Sequence, residues 1–487
     1  MILSLKWASL WAMTFLSLCF AVGLEAQISR SPNIVLILTD DQGWGATSVL
    51  MDESVPESKS DFVRTPHLET LADRGVVFSA AYAPHPNCSP TRYSILTGKS
   101  PAKLQMSDIV ARHRGAFFEG NRIIPPPHVK DIADEEITIA EWIKHERSEY
   151  ATAHFGKWHI NGGGPERHGF DASTGETSNR EGQREDPNPK RIFSITERGN
   201  EWMEEQVNAD RPFYMQLSHY ATHLAIHALD STLEKVEARK PGKRHILAGH
   251  AAMSEDLDAG VGMTLKKIRE LGIEDNTYVI YMADNGSYPL NNPGNTNGPL
   301  HGWKATTWEG GIRVPLIIAG PGIEQGRSRE RVIGWDLFPT ICDWLGIDSL
   351  PAGLEGGSLN PVLRGVKNAS VEREHPFIVV HFPHYQLEKG GQPSTAMYQG
   401  DFKLIKFWET GEYHLYNLKK DLSEMNDLAG KDTNRVVRMS RQLNHYLRTI
   451  DAGIPTVNSQ FDADKDPGRK YLDIKARLMN EPYFLLP

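Results

Sequence analysis

Asn33–Thr39, with the sequence NIVLILT, is followed directly by Asp40 and Asp41. An uninterrupted apolar run of this length predicts a β-strand that is buried on both faces, as is typical of parallel sheets. Similar runs occur at Ala151–Phe155, Phe213–Ser218, Thr277–Ala283 and Val314–Ala319. The pattern therefore predicts a mainly parallel sheet, with Asp40 and Asp41 at the carboxyl end of one strand.

Helical patterns lie between these strands, at Thr65–Gly75, from Tyr93, at Ala248–Leu271 and at Trp335–Leu345. Alternating strands and helices indicate an α/β domain, which we assign to residues 27–370. After about residue 370 the strand-like runs become short and are joined by turns that contain glycine. They lie at Phe377–Phe382, Thr395–Gln399, Phe402–Trp408 and Tyr413–Asn417, with a helix near Arg435–Leu447. We expect residues 371–487 to form a smaller α+β subdomain with an antiparallel sheet.

Composition limits the possible function classes. The chain has 487 residues, a formal net charge of −9 and a mean hydropathy of −0.43. An acidic chain gives no support to nucleic-acid binding, and a single long apolar run argues against a multi-span membrane protein. That run lies within residues 1–26, where Lys6 precedes an apolar stretch, the pattern of a secretory signal peptide. We expect cleavage near Ala26 and a secreted or periplasmic protein, with an uncleaved anchor helix as the alternative.

Oxygen-bearing side chains follow two of the predicted strands. Asp40 and Asp41 come after the first, and Asp284 and Asn285 come after Thr277–Ala283. Adjacent carboxylates repel one another unless a cation neutralises them, and hard cations such as Ca²⁺ and Mg²⁺ prefer oxygen ligands. The alternative is that each pair caps a following helix. The two pairs together favour a metal site, for which we expect Ca²⁺, with Mg²⁺ as the second choice.

The segment 87–98 reads NCSPTRYSILTG, with Cys88 and Arg92 four residues apart. On composition alone, Cys88 could be an ordinary buried thiol before a helix. The segment resembles the signature of the type I, formylglycine-dependent sulfatases, Cys-x-Pro-x-Arg followed by Leu-Thr-Gly. The resemblance implies the alkaline-phosphatase-like fold and a Cys88 that is oxidised to formylglycine (3-oxoalanine) and joins the metal site. The oxidation implies a partner, a formylglycine-generating or an anaerobic sulfatase-maturating enzyme.

Three further segments are similar to motifs of this family. Residues 156–159 read GKWH, which implies that Lys157 binds sulfate and that His159 contacts the formylglycine. Residues 220–223 read YATH and imply that His223 binds sulfate and protonates the leaving oxygen, although His219 and His227 compete for this role. Residues 304–315 read KATTWEGGIRVP and imply that Lys304 is a sulfate ligand, with Glu309 and Arg313 structural.

The chemistry of a sulfate ester explains these residue types. A hydrated aldehyde carries two hydroxyls, so that one attacks sulfur and the resulting ester can expel sulfate as the carbonyl re-forms. Asp40, Asp41 and Asp284 supply three negative charges, while Arg92, Lys157, Lys304 and a divalent cation supply five positive ones. This surplus suits a dianionic transition state.

The sequence indicates the type of reaction more precisely than it indicates the substrate. His381, His384 and Tyr385 lie in HFPHY, a segment that resembles members acting on carbohydrate sulfates, and could line a sugar pocket or pack in a sheet. The basic and aromatic run Arg112–Arg122 could meet a polyanionic glycan or be a solvated loop. We expect a sulfated polysaccharide or a glycosaminoglycan-like substrate. The alternatives are a phosphodiesterase or phosphonate monoester hydrolase of the same superfamily, and a non-catalytic glycan-binding relative.

Two further features have structural expectations only. Cys342 lies in an apolar helical pattern, and we expect a buried, inert thiol. Ser173–Arg191 is polar and irregular, and we expect a surface insertion.

Overall fold

The computed structural model describes residues 31–110, 118–182, 188–288 and 296–466. This part of the chain contains an eight-stranded sheet covered by helices on both faces, and a separate four-stranded antiparallel sheet. The predicted fold class, a large mainly parallel α/β sheet with a smaller C-terminal antiparallel sheet, is confirmed.

The described strands are β1 (Asn33–Thr39), β2 (Gly75–Phe78), β3 (Ala81–Tyr82), β4 (Ile123–Ile124), β5 (Ala151–Gly156), β6 (Ala172–Ser173), β7 (Phe213–Ser218), β8 (Thr277–Ala283), β9 (Leu316–Ala319), β10 (Gly326–Ser328), β11 (Val332–Ile333), β12 (Ile378–Phe382), β13 (Ser394–Gln399), β14 (Phe402–Phe407), β15 (Tyr413–Asn417) and β16 (Thr456–Val457). The described α-helices are α1 (Pro66–Ala72), α2 (Cys88–Thr97), α3 (Ile139–Glu146), α4 (Ile192–Asn208), α5 (Asp230–Glu237), α6 (Ala248–Glu270), α7 (Glu309–Ile312), α8 (Leu337–Trp344), α9 (Asn360–Leu363) and α10 (Thr433–Thr449).

The large sheet has the strand order β10-β2-β9-β8-β1-β7-β5-β6. Strand β9 runs antiparallel to both of its neighbours, β2 and β8, and the other pairings are parallel. Because β8, β1, β7 and β5 are parallel neighbours, the loops that follow them meet at one edge of the sheet. This edge gathers the residues that the sequence places directly after these four strands.

The central strand β1 is buried on both faces, as its apolar run predicts. Leu36 and Leu38 pack in a layer with residues of α2, α3 and α8, while Val35 and Ile37 pack in the opposite layer with residues of α1, α4 and α6. Burying each of these side chains contributes about 1.5–3 kcal/mol. The two layers hold the carboxyl end of β1 in a fixed position.

Helix α2 begins five residues before the helical pattern at Tyr93. Asn87 has an extended backbone, and Cys88 is the first helical residue. Pro90 lies in the first turn, where the N–H that proline lacks would have no partner within the helix. Cys88 therefore stands at the N-terminus of α2, where backbone N–H groups favour an anion.

The C-terminal sheet has the order β12-β13-β14-β15, with antiparallel pairing throughout. One face packs against α10, for example through Met397 and Leu443. The opposite face packs on side chains of the larger unit, which include Tyr82 and Trp335. The boundary near residue 370 stays a prediction.

The segment expected to be a surface insertion is partly buried. Its first residue, Ser173, is the last residue of β6, and the Thr177 hydroxyl donates to the Gly156 carbonyl at 2.6 Å. Pro189 and Lys190 are also buried, directly before α4. The expectation was wrong for Ser173 and Thr177, which pair or hydrogen-bond with β5, and for the buried Pro189 and Lys190.

Residues 1–26, and most of the basic run Arg112–Arg122, lie outside the described ranges. Within those ranges, no helix is both long enough and apolar enough to cross a bilayer.

Candidate active site

The loops after β1 and β8 bring Asp40, Asp41, Asp284 and Asn285 together, and all four side chains are fully buried. The Asp41 N–H donates to Asp284 Oδ1 at 3.1 Å, and Asn285 Nδ2 donates to Asp41 Oδ1 at 2.7 Å. These contacts arise because β1 and β8 are adjacent and in register, with Thr39 opposite Ala283.

Three oxygens of this group have no hydrogen-bond partner: Asp40 Oδ1, Asp41 Oδ2 and Asn285 Oδ1. Ligand atoms of Asp40, Asp41 and Cys88 lie within 4.8 Å of one another. Buried oxygens without donors carry a large desolvation cost unless they coordinate a cation. These residues therefore fit a hard divalent cation.

Asp284 has a different setting from the other two carboxylates. Its Oδ2 accepts from Arg92 Nε at 3.1 Å and from the terminal nitrogen Nη2 at 2.7 Å, while its Oδ1 accepts from the Asp41 backbone. Burial and the neighbouring Asp40 raise the pKa of Asp284 to about 6, against the opposing effect of Arg92. In this structure Asp284 holds Arg92 and the Asp41 backbone in place.

Cys88 lies beside these carboxylates, and its side chain is buried. Lys304 Nζ lies 3.2 Å from Cys88 Sγ and also donates to Asp41 Oδ1. Burial raises the pKa of the Cys88 thiol, although Lys157 and Lys304 act in the opposite direction. An unmodified Cys88 is therefore a protonated thiol at neutral pH, which is a weak nucleophile.

Two further cations complete this group. Lys157 follows β5 and donates to Asp40 Oδ2 at 2.5 Å, while Arg92 Nη1 donates to the Lys157 carbonyl at 2.7 Å. Burial alone would raise the pKa of Asp40, but Lys157 and other nearby positive groups hold it well below its ordinary value. Each of the three carboxylates is thus paired with one cation.

His159 and His223 approach the group from the loops after β5 and β7. His159 has a left-handed backbone with φ of 57°, and its Nδ1 lies 3.4 Å from Ser89 Oγ. His223 Nδ1 lies 2.6 Å from the Leu224 carbonyl, which can only accept, so this nitrogen carries the proton. His223 Nε2 then faces Asp41 Oδ2 at 3.8 Å, and the side chain is 21% exposed.

Both histidines are neutral at pH 7 in this structure. Burial lowers the pKa of His223 to about 4, with Asp41 opposing the shift. Burial also lowers the pKa of His159 well below its ordinary value, and Lys157 adds to the effect.

The competing histidines occupy other positions. The His219 N–H donates to the Leu38 carbonyl, and burial alone lowers the pKa of the ring to about 4. His227 is only partly buried and lies four residues beyond His223. Between His219 and His223, His223 is the one whose ring faces a site carboxylate.

The C-terminal residues differ among themselves. His381 uses both ring nitrogens within its own subdomain, at 2.7 Å from Thr395 Oγ1 and 2.9 Å from the Gly453 carbonyl. Tyr385 donates to Glu409 at 2.9 Å. These contacts are those of a histidine that packs in the sheet, one of the two expected roles, and the contact of His381 with sugar stays a prediction.

His384 keeps hydrogen-bonding capacity. Its Nε2 lies 2.8 Å from Ser107 Oγ, and its buried Nδ1 has no partner. The segment that carries Ser107 also reaches the active site, because the Val110 N–H lies 3.4 Å from Ser89 Oγ. His384 is therefore connected to α2 through a single short segment.

The sequence motifs do not include one buried charged residue, Lys190. Its side chain is buried, and burial lowers its pKa to about 8, while Asp40 raises the pKa and Lys157 lowers it. No sequence signal marks this lysine, since it lies in a polar stretch beside Pro189 and Arg191 that is typical of a loop.

Comparison with known proteins identifies the family. Residues 32–347 match the sulfatase family model, and residues 300–452 match the model described as N-sulphoglucosamine sulphohydrolase, C-terminal. The chain belongs to the sulfatase family. It is a sulfuric ester hydrolase by class, as the Cys88 motif implies.

Individual sulfatases are similar over most of the chain. Human arylsulfatase A is 28% identical, over 93% of this chain and 94% of its own. The ulvan-active sulfatase of Formosa agariphila is 27% identical, over 82% of this chain and 77% of its own. The structure of BT4656 with its substrate D-glucosamine-2-N,6-O-disulfate has a TM-score of 0.67 at 19% identity, covering 86% of this chain and 98% of that one, and shows the shared fold.

Proposed function

We propose that this sulfatase is exported and removes sulfate from a sulfated carbohydrate, with Cys88 oxidised to formylglycine beside a bound Ca²⁺. One observation carries the proposal. Cys88 Sγ lies at the N-terminus of α2, 3.2 Å from Lys304 Nζ, and forms one cluster with Asp40 and Asp41, each of which has a carboxylate oxygen without a partner. A buried thiol between a lysine and open carboxylate oxygens suits the chemistry of an anionic ester.

Asp40, Asp41 and Asn285 would hold the cation with their unpartnered oxygens, together with position 88. The place of Asp284 in the ligand set stays a prediction. A bound divalent cation neutralises such carboxylates and polarises a sulfate oxygen. Ca²⁺ is favoured because it accepts several protein oxygens in flexible geometry, whereas Mg²⁺ keeps waters. Exhaustive chelation is expected to abolish activity, and Ca²⁺ to restore it better than Mg²⁺; unchanged activity after metal removal would contradict the site.

Position 88 requires a modified side chain for this role. The unmodified thiol is buried and its pKa is raised, so it is a weak nucleophile. Once oxidised and hydrated, the side chain would supply one hydroxyl to attack sulfur and a second that allows sulfate to leave. Arg92 stands four residues after Cys88 on α2, and Lys304, on the loop before α7, lies 3.2 Å from Cys88 Sγ. The conversion needs a formylglycine-generating or anaerobic sulfatase-maturating enzyme as a partner.

The cations of the site have a common role. Lys157, Lys304 and Arg92 each pair with a carboxylate in the absence of substrate. A bound cation would neutralise those carboxylates, and Lys157, Lys304 and Arg92 would then stabilise the negative charge of the sulfate group in the transition state. One positioned donor of this kind is worth about 10²–10³ in rate.

The two histidines are assigned to proton transfer and positioning. His223 is partly exposed at the mouth of the site and is proposed to bind sulfate and protonate the leaving oxygen. Burial lowers its pKa to about 4, and a sulfate anion beside the ring would raise the pKa toward the working range. His159 is proposed to contact the diol at position 88, beside Ser89.

A carbohydrate substrate is supported by the relatives and by one side chain. An N-acetylgalactosamine-6-sulfatase of humans is 29% identical over 69% of this chain. His384 has a buried Nδ1 without a partner, close to the segment 107–110 that contacts α2. We propose that His384, rather than His381, contacts the sugar.

Export rests on the N-terminal sequence. The lysine and apolar run within residues 1–26 support a signal peptide and a secreted or periplasmic protein. N-terminal sequencing of the exported protein tests this, with a new terminus near residue 27 expected.

A release assay over a panel of defined sulfated oligosaccharides, with phosphate diesters and phosphonate monoesters alongside, tests the reaction and its substrate together. We expect sulfate release from one sugar type and one sulfate position in preference to all phosphorus substrates. Preferential turnover of a diester would contradict the proposal.

A further inference from the structure

Lys190 is a buried lysine in an unusual local structure. It stands directly before α4, and its φ of 56° lies in the left-handed region that non-glycine residues seldom adopt. Its side chain is only 1% exposed. Backbone strain of this kind concentrates at functional sites, where the surrounding structure fixes it.

Packing joins this lysine to the active site. Ile192, two residues later, packs in one buried cluster with Ala221. The Ala221 carbonyl in turn accepts from the Asp40 N–H at 2.9 Å. The buried segment that carries Lys190 therefore lies beside the loop that follows β7 and contacts Asp40. Burial lowers the pKa of Lys190 to about 8, with Asp40 acting in the opposite direction and Lys157 adding to the shift.

Each of the three active-site carboxylates pairs with a cation other than Lys190. Lys157 pairs with Asp40, Lys304 with Asp41 and Arg92 with Asp284. Within the described ranges, Lys190 forms no ion pair or hydrogen bond through its ammonium group. The Lys190 side chain is buried as a whole while its ammonium group has no acidic partner, and a bound anion would supply one.

We propose that Lys190 is a further anion-binding residue of this active site, which contacts the sulfate group of the substrate and of the product. The inference rests on the proposed function, and it adds a residue outside the sulfatase motifs of the sequence. Lys190 lies in the segment 188–191, which is joined to the Asp40 loop through Ile192 and Ala221. It would bring a fourth protein cation to the sulfate.

The test measures binding of inorganic sulfate by calorimetry to matured, calcium-loaded protein, together with denaturant unfolding. Lys190→Met is expected to raise the Kd for sulfate about 10- to 100-fold, the effect of losing one charge-assisted hydrogen bond. Its stability is expected to be unchanged or higher, because an unpaired buried charge is removed. Lys190→Arg is expected to keep an affinity near that of the wild type. The control Lys240→Met removes an exposed charge and should leave the Kd unchanged.

If Lys190 binds the anion, Lys190→Met weakens sulfate binding while stability is unchanged or higher. If Lys190 has only a structural role, the substitution lowers stability instead. An unchanged sulfate Kd in Lys190→Met overturns the inference, whether or not stability falls. If this variant does not fold, the same titration of Lys190→Gln decides on the same criterion. Wild-type protein that binds sulfate through Lys190 but hydrolyses no sulfate ester contradicts the proposed function alone. An active wild type whose Lys190 variants keep full sulfate affinity overturns this inference alone.

Discussion

Two clusters of buried charge in this molecule share residue types but differ in how their oxygens are satisfied. The active-site cluster consists of Asp40, Asp41, Asp284, Arg92, Lys157 and Lys304. The subdomain cluster consists of Glu309, Glu424, Arg313 and Lys403, with the hydroxyls of Tyr82 and Tyr398. It lies where the C-terminal sheet meets the larger unit.

In the subdomain cluster nearly every carboxylate oxygen has a hydrogen-bond or cation partner. Glu309 Oε1 accepts from Tyr398 at 2.7 Å and from Lys403 at 3.0 Å. Glu309 Oε2 accepts from Tyr82 at 2.8 Å and from Arg313 at 3.2 Å. Glu424 contacts Lys403 at 2.7 Å and accepts from the Glu309 N–H. Both oxygens of Glu309 therefore have two donors each.

In the active-site cluster, by comparison, two carboxylate oxygens have no hydrogen-bond donor. Asp40 and Asp41 each retain one oxygen without a donor, although each also has a lysine partner. The difference shows that burial and ion pairing alone do not mark a binding site. Buried oxygens with neither a donor nor a cation beside them do, because they retain the capacity to bind a cation. Glu424 Oε1 also forms no hydrogen bond, but Lys403 Nζ lies 2.7 Å from it.

The largest effect is expected at Cys88. Cys88→Ala and Cys88→Ser are expected to lower kcat by roughly 10³-fold or more, since both remove the side chain that carries the nucleophile. The matched control is Cys342→Ala, because Cys342 is also a buried free thiol, in α8. Its activity per folded molecule should match the wild type in the sulfate-release assay. Full activity of Cys88→Ala would contradict the assignment.

The next effect compares lysines from the two clusters. Lys304→Met is expected to lower kcat/KM by about 10²–10³, because Lys304 lies 3.2 Å from Cys88 Sγ and would contact the sulfate. Lys403→Met, in the subdomain cluster, is expected to leave kcat/KM per folded molecule nearly unchanged. Steady-state kinetics on both proteins measure this. Equal losses in the two variants would show that the clusters do not differ in function.

The free energy of unfolding is expected to depend on the lysine of the subdomain cluster, in contrast to kcat/KM. Lys403→Met leaves Glu309 and Glu424 buried without their shared cation, and we expect a loss of about 3–5 kcal/mol in the free energy of unfolding. Denaturant unfolding measures it, with exposed Lys419→Met expected to stay within about 0.5 kcal/mol of the wild type. A loss below that of an ordinary surface substitution would show that the subdomain cluster contributes nothing to folding.

The smallest effect concerns acid stability. Burial alone would raise the pKa of Glu309, but Lys403 and Arg313 lower it from 4.5 to about 2. A depressed carboxyl pKa stabilises the fold above the unfolded-state value, and that contribution is lost as the pH falls from about 4.5 toward about 2. In denaturant titrations across this range, Glu309→Gln should flatten the decline in stability. An unaltered slope would rule out this carboxyl as its source.

The sequence predicted most of the sheet and the members of the active-site cluster. The apolar runs of β1, β7 and β8 match the observed strands to the residue, because a strand buried on both faces leaves little ambiguity. The polar residues after those strands then come together by topology. His223 could be preferred over His219 only in three dimensions, since both follow β7 closely.

Other features had no sequence signal. The start of α2 at Cys88 depends on the backbone of Asn87, and the packing role of His381 depends on Thr395 and Gly453. Lys190 resembles a loop lysine in sequence, and only the packing of Ile192 beside Ala221 places its segment near the site. These properties are set by contacts between distant segments.

The most direct test of the account is mass analysis of the peptide that contains Cys88, on protein matured in its own host, together with sulfate release by the same sample. The account predicts the aldehyde in place of the thiol, and an activity that rises in proportion to the converted fraction. Fully active protein with an unaltered thiol at position 88 would contradict it.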